Sequence, residues 1–178
     1  HKMKFLKFLL IIFISLTTSI KADLNENLMN QLEDGEKLIF IRHAYAPGSG
    51  DPSNFNLNDC STQRNLSKQG RKQAEKIGDF FKKNEIRIKK VFSSEWCRCK
   101  ETAKIAFKNY STKNFLNSFY SLKYAKNKTR QIEELNDYVR LSKISKNLVF
   151  VTHYVLISEI LNYAPSSGEI VVSDKNFN

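Results

Sequence analysis

Two histidines and two arginines carry the chemistry that this chain can offer. Arg42 directly precedes His43, Arg98 follows the pair Ser93-Ser94 by about one helical turn, and His153 follows a second apolar run far downstream. His1 precedes Met3 and is given no catalytic meaning. A neutral imidazole is a competent nucleophile near neutral pH, and planar guanidinium groups match the oxygens of a phosphoryl group through paired hydrogen bonds. Phosphoryl transfer asks the protein for positioning and for charge on the equatorial oxygens. Arg42, His43, Arg98 and His153 are therefore the candidate catalytic set, with Arg42, Arg98 and His153 also binding the substrate's phosphate. No metal is called for.

These residues must be held together by the elements before them. Lys37 to Ile41 is a short apolar run bounded by Gly35 and by Arg42-His43, which suits a strand buried on both faces. Val91 to Ser94 reads as a second strand, Asn147 to Thr152 as a third and Glu169 to Val172 as the last. Between them, Ser67 caps a helix to about Lys83, Trp96 to Phe107 forms another, Gln131 to Lys143 a third and Val155 to Leu161 a fourth. Alternating strands and helices imply an α/β fold, a three-layer sandwich around a mainly parallel sheet. In such sheets ligands bind beyond the carboxyl ends of the strands, so His43 and His153 are expected to share one crevice. Pro47 to Ser53 opens a long loop running to Arg64, and the segment from Lys108 to Lys128 has little pattern.

Composition narrows the class. The 178 residues suit one domain, with 41% hydrophobic and 26% charged residues. Residues 1–22 read as a secretory signal, with basic Lys2, Lys4 and Lys7, an apolar run from Phe8 to Ile14 and a cut after Ala22. The mature domain is then 23–178, periplasmic or secreted, with no stable membrane insertion. Removing four lysines (Lys2, Lys4, Lys7, Lys21) and no acid lowers the net charge from +11 to +7. The remaining lysines are scattered, unlike a nucleic-acid groove, and no nucleic-acid partner is expected. A basic field still draws in anionic substrates. Of Cys60, Cys97 and Cys99, Cys60 is expected to pair with one of the other two. A cysteine phosphatase requires arginine six positions after cysteine, but Leu66, Ala103 and Ile105 stand there. A Gly-Lys-Ser/Thr phosphate loop is also absent, and two isolated histidines fit a zinc hydrolase poorly.

Four stretches together carry a family resemblance. Phe40-Ile41-Arg42-His43-Ala44 resembles the Arg-His-Gly signature of the histidine phosphatase superfamily, which includes the phosphoglycerate mutases. Leu66-Ser67-Lys68-Gln69-Gly70 with Gln73-Ala74 resembles its helix start, Ser93-Ser94 through Arg98 to Thr102-Ala103 its second-arginine motif, and Val149 to His153 its closing strand and histidine. Asp59-Cys60, Trp96-Cys97-Arg98-Cys99 and Ser167-Gly168-Glu169 are similar to short exported bacterial members, with exported lipopolysaccharide-core heptose phosphatases as more distant relatives. The resemblance implies a phosphoglycerate mutase-like fold and a cofactor-free, metal-independent phosphoric monoester hydrolase. Its partner would be a small phosphorylated substrate such as a sugar phosphate, with a phosphohistidine formed on His43. The alternative is a non-catalytic periplasmic binder of phosphorylated glycan or lipid. Two departures stand out: Ala44 replaces the usual glycine, and Tyr154 follows His153 where one branch has an acidic proton donor. The general acid is unassigned. Glu95, Asp51, Asp59 and Glu169 are the candidates, each read as a solvated surface carboxylate.

Overall fold

The computed structural model describes residues 26–178, so the expected signal 1–22 and the domain start near Asp23 lie outside the described residues. The chain divides after Asp34. Residues 26–34 are helical, and everything below concerns the unit Gly35–Asn178.

Five strands form one sheet: β1 (Leu38–Arg42), β2 (Ile88–Ser93), β3 (Ser111–Thr112), β4 (Asn147–Thr152) and β5 (Ile170–Ser173), in the order β3-β2-β4-β1-β5. All pairings are parallel except β1 with β5. The central position of β4 explains its uninterrupted apolar run, since all six of its residues are buried. Every second strand residue turns to the same face. Leu38, Phe40, Phe92, Leu148 and Phe150 thus join one core cluster with Leu135, Val139, Leu156 and Ile157 of the helices α3 (Lys128–Leu141) and α4 (Tyr154–Leu161). Ile39, Ile41, Val149 and Val151 have the opposite parity and are also fully buried. Two further helices, α1 (Lys68–Lys83) and α2 (Cys97–Phe107), pack against each other, and α2 also packs on β2 and β4. A sheet with helices on both faces is the expected three-layer arrangement.

The helix α1 starts where the sequence places it, because Ser67 accepts a hydrogen bond from the Gly70 amide at 3.1 Å. Three expectations shift. β2 begins at Ile88 and not at Val91, because Lys89 and Lys90 are exposed and break the apolar run. β3 emerges from the weakly patterned segment 108–128 as a two-residue, solvent-exposed edge strand, too short and too polar to show a period. α3 begins at Lys128 and not at Gln131, because its first turn is polar and carries no apolar signal.

The sheet order decides the placement of the chemistry. β2, β4 and β1 are neighbours, and their carboxyl ends lead into Ser94, His153 and His43. Backbone hydrogen bonds extend the ladder past the strand ends: the His43 amide donates to the Thr152 carbonyl at 2.9 Å, and the Ser94 amide to the Val151 carbonyl at 2.9 Å.

Candidate active site

His43 is 2% exposed and its ring lies 5.5 Å, centroid to centroid, from the ring of His153. Its Nδ1 is 2.9 Å from the Ala44 carbonyl oxygen, which can only accept, so Nδ1 carries the ring proton. Nε2 is then a bare lone pair, and it accepts from Nε of Arg98 at 3.2 Å. Burial first, and the charge of Arg98 second, push the His43 pKa well below the usual histidine range. The imidazole is therefore neutral, with its nucleophilic nitrogen facing a guanidinium.

Arg98 is itself 3% exposed and leaves the first turn of α2. Its Nη1 donates to Oδ1 of Asp51 at 2.7 Å and its Nη2 to Oδ2 at 3.3 Å. Trp96 Nε1 also donates to Oδ2, at 3.0 Å, and the Arg64 amide to Oδ1, at 3.1 Å. Asp51 is thus not the solvated carboxylate that the sequence suggests; it is drawn inward by four donors. Desolvation alone would raise its pKa, but the hydrogen bond and charge of Arg98, aided by Arg64 and Trp96, outweigh that and hold it below the usual carboxylate range. An ionised Asp51 orients Arg98 and has no proton to give.

Arg42 reaches the same cavity from the end of β1. Its Nη1 donates to the Pro165 carbonyl at 2.9 Å and its guanidinium lies 5.4 Å from the centre of the Tyr154 ring. Its Nε is buried and has no hydrogen-bond partner. A buried, unsatisfied cationic donor is costly, and the guanidinium that carries it lines the cavity. Tyr154, which departs from the expected acidic residue, therefore serves as a platform for Arg42.

His153 is 3% exposed, with Nε2 at 2.8 Å from Ser94 Oγ and 3.5 Å from Cys99 Sγ. Burial, then Arg98, then His43 lower its pKa well below the usual range. The Cys99 thiol is pushed up to about 12 by burial, so it packs as a neutral group. The remaining acid candidates point elsewhere. Glu95 accepts from Asn117 at 2.6 Å, Asp59 caps a short 3₁₀ turn through Ser61 at the surface, and Glu169 accepts from the Ser166 amide and the Tyr163 hydroxyl.

The motif residues around these groups brace them. Ala44 does not have a left-handed backbone, so replacing glycine there costs no strain, and its amide donates to Thr102 Oγ1 at 3.0 Å. A side chain on Gly70 would place Cβ 2.0 Å from the Tyr45 carbonyl oxygen, which explains the glycine of the helix start. Gln73 accepts from the Tyr45 amide at 2.9 Å and donates to the Ser167 carbonyl at 2.7 Å, joining the loop after His43 to the turn that braces Arg42. Cys60 forms a disulfide with Cys97, which ties the long loop to the residue beside Arg98.

All four sequence-predicted site residues line one cavity of about 370 Å³. Arg64, which the sequence reading passed over as the end of a loop, lines it too, held by Gly50 and Ala46 carbonyls. Arg42, Arg64, Arg98 and Lys123 against Asp51 give it a positive lining, a field that favours anions. Among the described residues, no three or more His, Cys, Asp or Glu side chains gather where they could hold a metal ion.

Residues 38–118 match the family model of the histidine phosphatase superfamily (branch 1). No curated protein matches the chain. Among solved structures, the chain is similar to the protein histidine phosphatase SixA complexed with tungstate, at 14% identity and a TM-score of 0.51, over 80% of this chain and 91% of that one. It is similar to a phosphoserine phosphatase from Entamoeba histolytica in complex with phosphoserine, at 18% identity and a TM-score of 0.53, over 76% and 89%. A mycobacterial glucosyl-3-phosphoglycerate phosphatase complexed with VO3 gives 13% identity and a TM-score of 0.52, over 77% and 92%. These likenesses establish the phosphoglycerate mutase-like fold.

Proposed function

We propose that the protein is a phosphatase of the histidine phosphatase superfamily that hydrolyses a phosphomonoester or phosphoramidate through a phosphohistidine on His43. The observation that carries this reading is the geometry of His43: Nδ1 lies 2.9 Å from the Ala44 carbonyl, which assigns the ring proton to Nδ1, and Nε2 accepts from Arg98 Nε at 3.2 Å. The family match over residues 38–118 adds to it.

In the first displacement Arg98 Nε–H passes from His43 Nε2 to a phosphoryl oxygen, the freed Nε2 lone pair attacks phosphorus, and the bond to the leaving group breaks, its electron pair departing with that group. Arg98 and the Arg42 guanidinium take the equatorial oxygens, where charge-assisted bonds in a desolvated site count most. His153 stands beside the same group, and an incoming dianion would work against the burial, and the charge of Arg98, that keep its ring neutral. In the second displacement water attacks phosphorus, Nε2 leaves with its pair, and orthophosphate departs. Neither step needs a metal. The disulfide Cys60–Cys97 supports an exported enzyme, because such bonds persist in oxidising compartments.

Acid-quenched trapping with ³²P-labelled substrate tests the reading. An acid-labile, alkali-stable label should map to the peptide holding His43. A label elsewhere, or full activity in His43→Ala, overturns the assignment. Phosphate binding without any turnover would favour the non-catalytic binder.

A further inference from the structure

We infer that the substrate carries its phosphoryl group on an aromatic ring, as an aryl phosphomonoester. This deepens the phosphatase reading and rests on it. A phosphate alone does not need a cavity of about 370 Å³, a volume in the range of sites that hold a whole small molecule. The part beyond the arginines is an aromatic wall. Phe55 stacks on Trp96 with centroids 5.0 Å apart, and Tyr124 meets both edge-on, at 5.9 Å from Phe55 and 5.4 Å from Trp96. Trp96 in turn lies 5.4 Å from the ring of His153, so the wall begins where the phosphate site ends. Three separate stretches supply these rings: the loop after β1, the N-cap of α2, and a short helical turn at Leu122–Ala125. Phe55 and Tyr124 keep part of their surface open.

Two further observations favour a phenolic group over a sugar. Sugar hydroxyls are bound most often by carboxylates and amides; the lining offers serine and tyrosine hydroxyls but no Asn, Gln or Glu, and both oxygens of its one carboxylate, Asp51, are taken by Arg98 and Trp96. The leaving group must also depart without an acid, since Asp51 is held ionised and Glu95, Asp59 and Glu169 are engaged elsewhere. A phenol satisfies both conditions. Attack by His43 Nε2 breaks the P–O bond, the electron pair stays on the phenolic oxygen as an aryloxide, and solvent supplies its proton afterwards.

Non-hydrolysable phosphonates separate ring recognition from leaving-group ability. Calorimetric titration of the purified protein should find phenylphosphonate bound about tenfold tighter than methylphosphonate, the order that a buried ring and one stacked pair supply. In Phe55→Ala and Tyr124→Leu that preference should shrink to about twofold or less while methylphosphonate affinity holds. Equal affinity for the two ligands in the unaltered protein, equal loss of both in the variants, or tighter binding of glucose 6-phosphate than of phenyl phosphate to His43→Ala would each overturn the proposal and leave the phosphatase reading standing. If neither phosphonate binds and no phosphate ester is turned over, both fall together.

Discussion

Asp51 occupies the outer edge of the Arg98 guanidinium, its Oδ1 2.7 Å from Nη1, while the Nε of the same group donates to His43. The carboxylate therefore fixes the plane of the guanidinium and with it the direction from which His43 is approached. Asp51→Asn keeps the shape and removes the charge. The expected result is a fall in kcat of about tenfold or more with a smaller change in KM, because misorientation costs most where charge develops in the transition state. Steady-state kinetics on para-nitrophenyl phosphate measure it. Unchanged kcat would mean that Arg98 needs no such partner.

Asp51 also makes a prediction about acid stability. Its pKa in the folded protein lies below the ordinary carboxylate value, so the unfolded state binds more protons as pH falls. Its contribution is present above the unfolded pKa and is lost as pH drops through the folded one. Melting temperatures of the parent and of Asp51→Asn should be furthest apart near neutral pH and converge in the strongly acidic range. A constant gap would remove Asp51 as the cause.

The histidines bear on the acid side of the activity profile. Both are held neutral well below the usual histidine range, by burial first and by Arg98 second. His43, the proposed nucleophile, is thus available at pH values where a free imidazole would be protonated. A plot of kcat/KM against pH should show no loss of activity at the ordinary histidine pKa, falling only further into acid. The sign for stability is opposite to that of a histidine gaining a partner: the unfolded chain takes up protons first, so these two groups destabilise the fold as pH falls from the unfolded pKa toward the folded one. A kinetic limb near the ordinary value would show that the site charges freely.

The positions of these groups were legible where chemistry coincides with an element boundary. Arg42, His43 and His153 could be placed because an uninterrupted apolar run ends just before them, and Arg98 because Ser93-Ser94 ends a strand. Asp51 and Arg64 could not, since their roles come from where a long irregular loop folds back, and a Gly-Ser-Gly-Asp-Pro stretch reads as a turn whatever its carboxylate touches. Phe55 and Tyr124 were hidden for the same reason: neither lies in a periodic stretch, and only the tertiary fold brings them to Trp96. The disulfide was half legible, its partner choice being settled by the helix geometry that turns Cys97 toward Cys60 and Cys99 into the core.

That disulfide should be visible in solution. Thiol titration under denaturing, non-reducing conditions should find one reactive thiol, Cys99, and reduction should raise the count to three. Cys60→Ser should lower stability by about 3 kcal/mol, since the bridge spans 37 positions and constrains the unfolded chain accordingly. Three free thiols in protein recovered from its native compartment would refute the pairing.

Arg98 offers the sharpest test of the site as a whole. Its guanidinium makes bonds in two directions at once, to His43 through Nε and to Asp51 through Nη1 and Nη2, and no point charge can do both. Arg98→Lys keeps the positive charge but loses the fork. If charge alone mattered, the lysine variant would retain most of the activity. If the fork matters, Arg98→Lys should fall nearly as far as Arg98→Ala, each losing about 3 kcal/mol of transition-state stabilisation, on the order of a hundredfold in kcat/KM. Vanadate inhibition supplies the second reading, because it imitates the five-coordinate phosphorus and so reports binding to the transition-state geometry. Its potency should drop in both variants by a factor close to the loss in kcat/KM, while binding of orthophosphate weakens less. Equal weakening of vanadate and orthophosphate would reduce Arg98 to a ground-state anchor and move the burden of transition-state charge to Arg42.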